Sequence, residues 1–380
     1  MIGLKGSQLC WLFFLFLTME IGLSWYGRTP IGKKRGMWAK TPPEELVASL
    51  LKEAASRCQV PHEIILASAT STGGNPARYA ALMAGLPESV PAFQVDAQCL
   101  GSAQAMAIGW AKIKAGLAEA VWVGGMESAS LSPTRGFHPA DPRFDPQKPT
   151  FQTALFAPGD THLPMPIQMQ QLLADFSEQA LTDWGVASKR KAWRAQEEHN
   201  LATIKFPNLP DELLKSPEAD EYFLAQWKRR YSIQFMHPWN CAPEADAAAL
   251  MVLTTQPNHI LIRDVVTVGF SPHQAALACG MAVRQLLTQT GLGVQDIDLW
   301  EIHEAFSLKP TSICQNNAIN PAKVNIFGGN IAYGHPFGAS GAIGMMHLAE
   351  ALRGQKKSMG IFTMSAAGGL GVAVLLECRN

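Results

Sequence analysis

Charge is scarce in this chain. Only 16% of its 380 residues are Asp, Glu, Lys or Arg, and 31 basic residues balance 31 acidic ones. Without a basic excess there is no electrostatic footprint of a nucleic-acid binder or of a protein held on an anionic membrane, and neither is expected as the main partner. The seven cysteines are odd in number and unevenly spaced, which excludes both a disulfide framework and a paired zinc-ligand pattern. Free thiols in a reducing, cytoplasmic compartment are therefore expected, and no metal is implied. The apolar run Leu9–Leu17, preceded by Lys5, resembles the h-region of a signal peptide. It falls well short of the roughly 20 residues that a bilayer-spanning helix needs, so no integral membrane segment is expected. No small-x-small cleavage site follows it, and Met19 opens a strand-like segment, Glu20–Trp25. Residues 1–18 are read as a non-native start or signal-like extension, with translation beginning at Met19.

What the chain has in quantity is apolar residues, 47% of the total, enough for one large core or two subdomains. From Met19 to Ser128 apolar strands alternate with helices in the order β-α-β-α-β-α-β, which predicts an α/β fold with a doubly wound, largely parallel sheet. Leu131 to Ser232 has a different texture, Pro, Asp, His and Phe giving way to amphipathic helices from Pro166. It reads as an inserted loop domain, with a solvated helix over Ser188–Thr203. Regular α/β structure resumes at Asp246–Leu253 and continues to the C-terminus. The second half echoes the first, an apolar strand leading through a glycine-rich joint with one reactive side chain into a small-residue helix; such an echo suggests duplication.

The reactive side chains sit at those joints. Cys99 lies between the strand Val90–Val95 and a helix rich in Ala. A thiol there is expected to feel the helix N–H groups and the positive end of the macrodipole, lowering its pKa and favouring the thiolate nucleophile. His335 occupies the corresponding joint of the second half, bracketed by five glycines between Gly328 and Gly341, a setting that packing explains poorly. A Cys–His pair supplies a nucleophile and its activating base. His303 ends a strand beside Glu304, where its imidazole could donate to an acyl oxygen. Taken together the three suit acyl transfer through a thioester.

Seven motifs then make a family resemblance specific. They are RTPIGK at Arg28–Lys33, GGNPAR at Gly73–Arg78, the segment around Cys99, GGMES at Gly124–Ser128, HEAF at His303–Phe306, GHPFGASGA at Gly334–Ala342 and GGLG at Gly368–Gly371. In this order, from Met19 to the C-terminus, the chain resembles a thiolase. HEAF, FGGNIAYGHPFG and NCAPEADAAA at Asn240–Ala249 are similar to the trifunctional-enzyme β-subunit branch of fatty-acid degradation. The resemblance implies a five-layer α-β-α-β-α core of two similar halves, residues 19–130 plus 233–262 and residues 263–380, with 131–232 as the loop domain. It implies coenzyme A and acyl-CoA as substrates with no fixed cofactor, a homodimer or tetramer, and room for a hydratase/dehydrogenase subunit as partner. By that likeness Cys99 takes the acyl group, His335 activates it, His303 and His335 form an oxyanion site, and Ala242, Gly334 and Gly369 lie at the coenzyme A.

Three positions depart from the family pattern. The second catalytic cysteine, which acts as base and acid at the α-carbon, is replaced by Ser365. A serine hydroxyl has a far higher pKa than the ~8.5 of a free thiol and serves poorly as a base. Ala242 stands where many relatives carry a hydroxyl near the pantetheine, and Leu100 replaces a small residue beside the nucleophile. Three readings follow: an acyl-CoA C-acyltransferase; a decarboxylating condensing enzyme built on Cys99, His303 and His335, which needs no α-carbon base; and a thiolase-like acyl-CoA-binding or subunit protein with impaired chemistry. Turnover of malonyl-CoA but not acetyl-CoA selects the second, and thiolysis gained on Ser365→Cys from an inactive parent selects the third.

Overall fold

The computed structural model describes residues 19–151, 156–158, 176–230, 237–256 and 258–379, with single positions 165, 167, 169, 172 and 173 between. The expected extension 1–18 and part of the loop domain's helical stretch lie outside the described residues. The strands are β1 (Gly22–Arg28), β2 (Gly32–Lys33), β3 (Glu63–Ala67), β4 (Ala92–Val95), β5 (Ala120–Ser128), β6 (Ala245–Thr254), β7 (Ile260–Gly269), β8 (Leu299–Ile302), β9 (Met359–Ala366) and β10 (Leu370–Cys378). The helices are α1 (Pro43–Ala55), α2 (Pro76–Met83), α3 (Gly101–Lys114), α4 (Glu178–Glu197), α5 (Pro217–Arg230), α6 (Ala278–Thr290), α7 (Leu308–Asn316), α8 (Asn330–Tyr333) and α9 (Ser340–Gln355).

The strands run in the order β4-β3-β5-β6-β1-β7-β10-β9-β8, with β2 beside β6. Two half-sheets meet between β1 and β7 through the single pair Gly22 and Leu261. In the first half β3 is parallel to β4 and β5, whereas β6 is antiparallel to β5 and β1. The second half repeats this: β8 is parallel to β9, and β10 is antiparallel to β9 and β7. A single parallel bridge from Trp300 to Val324 stands where β4 stands in the first half. The largely parallel sheet expected from the alternation is therefore corrected to a mixed one. Each half returns through a ten- or nine-residue antiparallel strand, β6 or β10, whose apolar residues are buried on both faces and read like parallel strands.

Burial resolves the layers. One core cluster joins Leu46, Leu50 and Ala80 of α1 and α2 to Ile64, Trp122 and Leu250 on the outer face of the first half-sheet. Another joins Ala282, Val283 and Leu286 of α6 to Trp300, Ile361 and Leu375 on the outer face of the second. The largest lies between, where Ala103 and Met106 of α3 and Ile343, Met346 and Leu348 of α9 are covered by Val121, Val123, Met251, Phe362 and Val374. The result is helix, sheet, paired central helices, sheet, helix: five layers.

The inserted region does not simply solvate its helix. α4 buries Leu181, Ser188, Ala192 and Ala195, and Lys191 Nζ donates to the Val324 carbonyl at 2.7 Å. Asp211, beyond α4, closes a buried bidentate pair with Arg28 at 2.7 and 2.9 Å. The 262/263 boundary expected between the halves falls inside β7. Among the described residues no helix is long and apolar enough to cross a membrane.

Candidate active site

The central helices bring the two joints together. Ser102 Oγ, in the first turn of α3, accepts the Ala342 N–H of α9 at 3.0 Å. A Cβ on Gly341 would come within 2.8 Å of Ala103 N, so the two helix starts approach as closely as backbone permits. Cys99 precedes α3, just after Gln98, which is held at a positive φ of 55°. His335 precedes α9, after Gly334 at φ 100°.

Two buried carboxylates fix the His335 joint and the elements beside it. Glu127 of β5 accepts from Ser68 Oγ at 3.0 Å, Ala69 N at 2.8 Å, Thr70 N at 3.1 Å, Thr70 Oγ1 and, beyond His335, Gly338 N at 2.9 Å. Glu304 accepts from Trp184 Nε1 at 2.8 Å and Ser188 Oγ at 2.7 Å of α4, and from Asn325 Nδ2 at 2.7 Å. Asn325 in turn pairs with both backbone groups of Ile302, so the strand end before His303 is clamped to the loop that leads to His335.

His303 and His335 are in direct contact. His303 Nε2 lies 3.2 Å from His335 Nδ1, which is also 2.7 Å from Ser340 Oγ. Burial, with the Lys309 charge as a second cause, pushes His335 down to about 3. Burial, then the His335 and Lys309 charges, pushes His303 well below the usual imidazole range. Among the described residues His303 Nδ1 has no hydrogen-bond partner.

Cys99 is half-buried, its Sγ 3.8 Å from the Ser365 carbonyl oxygen. Contrary to the sequence expectation, its thiol is pushed up: burial is the largest influence, opposed by the Lys309 charge and by the Ala367 and Cys99 N–H groups. The helix begins two residues after Cys99, so dipole assistance is weaker than expected and desolvation wins. Ser365 is fully buried, and its Oγ lies 3.5 Å from the Ala276 carbonyl oxygen.

The remaining expected positions surround this cluster. Ala242 is half-buried and donates its N–H to the Ala305 carbonyl at 3.0 Å, beside HEAF. Gly334 packs toward Leu213 and Ala245, and its carbonyl accepts from Asn330 Nδ2 at 3.0 Å. The Gly369 carbonyl accepts from Phe270 N at 2.7 Å, in the turn after Ser365. Leu100 is fully buried in the central core cluster.

Sequence reasoning missed Lys309, which is only 1% exposed and donates from Nζ to the Ser365 carbonyl at 3.1 Å. It also missed Ser340, and gave Glu127 and Glu304 no role. A cavity of about 440 Å³ lined by Ala195, Lys205, Asp211 and Tyr333 shares no residue with the thiol and histidine cluster, so its size does not make it the reaction site. Among the described residues no group of three or more His, Cys, Asp and Glu is placed to hold a metal.

Comparison with known proteins bears on the family and the fold. The sequence matches the family model "Thiolase, N-terminal domain" over residues 26–210 and "Thiolase, C-terminal domain" over residues 257–378. It is 30% identical to the peroxisomal 3-ketoacyl-CoA thiolase 5 of Arabidopsis thaliana, over 92% of this chain and 83% of that one. It is 28% identical to the acetyl-CoA acetyltransferase of Escherichia coli, over 93% and 98%. The crystal structure of the Acat5 thiolase from Ascaris suum in complex with coenzyme A superposes with a TM-score of 0.82 at 25% identity, covering 95% of this chain and all of that one.

Proposed function

We propose that this chain, which belongs to the thiolase family, is an acyl-CoA C-acyltransferase that works through an acyl-Cys99 thioester on 3-ketoacyl-CoA and coenzyme A. The observation that carries the reading is the convergence of the Cys99 and His335 joints at the locked starts of α3 and α9.

The proton positions follow from the contacts. With His335 Nδ1 shared between Ser340 Oγ and His303 Nε2, the nitrogen left to serve Cys99 is Nε2. A proton on His335 Nδ1, donated to those acceptors, makes Nε2 basic and puts the His303 proton on Nδ1, the atom without a partner. His335 then takes the Cys99 proton, the thiolate attacks the thioester carbon of an acyl-CoA, the carbon–sulfur bond to coenzyme A breaks, and His335 returns the proton to the leaving sulfur; run backward, this step passes the acyl group from Cys99 to coenzyme A and completes thiolysis. His303 Nδ1–H is a donor for an acyl oxygen, and the Ala367 and Cys99 N–H groups that converge on Sγ suit a developing thioester oxyanion.

By family likeness the substrate direction is fatty-acid degradation and the assembly a homodimer or tetramer, with a hydratase/dehydrogenase subunit as candidate partner. Cysteines that are odd in number and unevenly spaced along the chain favour a reducing compartment such as the cytoplasm. The test is transfer of a labelled acyl group from acyl-CoA to protein, with thiolysis assayed across short and long 3-ketoacyl-CoA. Cys99→Ala is expected to abolish labelling; undiminished stoichiometry in that variant refutes the role. The Ser365 hydroxyl favours a second reading, decarboxylating condensation, for which turnover of malonyl-CoA without turnover of acetyl-CoA is the signature. Tight acyl-CoA binding with no labelling at all would leave only the binding role.

A further inference from the structure

Forming a carbon–carbon bond on acyl-Cys99 requires a base at the α-carbon of the second acyl-CoA. Position 365, where the family carries a cysteine for that purpose, is a serine beside the Ala276 carbonyl. The nearby thiol of Cys279 donates to the Ala276 carbonyl at 3.1 Å and is pushed up by burial, so it is a poor substitute.

Lys309 is better placed. It is the second residue of α7, and a side chain so near a helix start leans back over that end. There its Nζ meets the Ser365 carbonyl at 3.1 Å, the same oxygen that Cys99 Sγ approaches at 3.8 Å. The amine and the nucleophile are thus first neighbours of one atom. The Lys309 charge is felt at Cys99, Cys279, His303 and His335 alike. Burial pulls the lysine down from its ordinary range, and the groups opposing this are the thiols of Cys99 and Cys279, not a carboxylate. A buried ammonium so weakly compensated costs stability, and packing alone gives no reason to keep it.

We propose that Lys309 is the catalytic base and acid at the α-carbon, its Nζ performing the proton transfer that the family assigns to the second cysteine. This rests on the acyl-Cys99 reading. In the condensing direction neutral Nζ takes a proton from the α-carbon of acetyl-CoA, and the enolate carbon attacks the thioester carbonyl of acyl-Cys99. A carbon–carbon bond forms, the carbon–sulfur bond breaks, and the electron pair leaves on Cys99 Sγ, which receives the proton from Lys309. Thiolysis is the reverse. Cys99 passes its proton to neutral Lys309 Nζ and attacks the 3-keto carbon, the carbon–carbon bond breaks, and Lys309 delivers that proton to the departing enolate carbon.

Deuterium exchange isolates this step. Wild-type protein incubated with acetyl-CoA in heavy water is expected to acylate Cys99 and to deuterate the acetyl methyl group, read by mass spectrometry. Lys309→Met and Lys309→Gln are expected to keep the Cys99 label while exchange falls by at least about a hundredfold. Removing a costly buried charge should also leave the unfolding temperature equal or higher. In Lys309→Met carrying Ser365→Cys, a thiol returned beside the α-carbon is expected to recover about tenfold or more of the lost exchange. Exchange kept within about threefold in either single variant overturns the proposal. So does parallel loss of label and exchange in both, which assigns Lys309 to upkeep of the site. Wild-type protein that takes the label but never deuterates the substrate overturns it and leaves the acyl-Cys99 reading standing. Wild-type protein that takes no label removes that reading, and the lysine's role with it.

Discussion

The 3.2 Å contact between His335 and His303 holds one proton, and where it sits decides which nitrogen faces the thiol. Burial and the Lys309 charge keep His335 neutral down to about 3, so its base form persists far below the usual imidazole range. The rate of Cys99 acylation, followed by release of coenzyme A in a stopped-flow instrument, is therefore expected to hold between pH 7 and pH 5. An acid limb with its midpoint near 6.5 would place the working base elsewhere. Lys309→Met removes a like charge and should move that limb upward. The joints that carry Cys99 and His335, and the strand end that carries His303, were legible in the sequence because glycine-rich turns and motif order mark them. Lys309 was not, since in Ser-Leu-Lys-Pro it looks like any solvated first-turn lysine, and its partners Cys99 and Ser365 come from both halves of the fold. The Cys99 pKa was misjudged for the same reason: a helix dipole is local and readable, whereas desolvation is set by tertiary packing.

Between elements, the contact that matters is the one between α3 and α9. Gly341 leaves no room for a side chain against Ala103, whose N and Cβ would lie 2.8 and 2.9 Å from an added Cβ. Gly341→Ala is expected to destabilise the protein by about 1–3 kcal/mol through overpacking. By spreading the helix starts, it should also slow Cys99 acylation more than it weakens acyl-CoA binding. Urea unfolding combined with single-turnover labelling checks both; unchanged stability and rate would mean that the helices do not set the site. Most strands were legible in the sequence because apolar runs bounded by glycine and proline mark them. Pairing direction was not, since a return strand such as β6 carries the same buried apolar sequence as its parallel neighbours. The role of α4 was hidden too: Lys189-Arg190-Lys191 reads as a wet face, yet Trp184 and Ser188 of the same helix hold Glu304.

Taken as a whole, the molecule buries four histidines among the described residues, and these set its acid stability. Burial, with help from nearby cations, pushes His237 down to about 4 and His335 and His347 to about 3, and holds His303 well below its ordinary value. In the unfolded chain each binds a proton near 6.5. Their contribution to stability is thus complete above pH 6.5 and is lost as the pH falls from there toward the folded values, each costing about 1.4 kcal/mol per pH unit across that window. Glu301 runs the other way, its carboxyl raised by burial and then by Glu304, but among the described residues it is one group against four. Stability from urea unfolding should therefore drop between pH 7 and pH 5. His347 provides a clean check, because its Nε2 has no partner among the described residues and its ring packs edge-on to Tyr333 at 5.0 Å, away from Cys99 and its partners. His347→Leu should flatten the slope by about 1.4 kcal/mol per pH unit while leaving Cys99 labelling unchanged. A slope identical to that of the parent would show that this histidine does not carry its share of the acid response, which then falls to His237, His303 and His335.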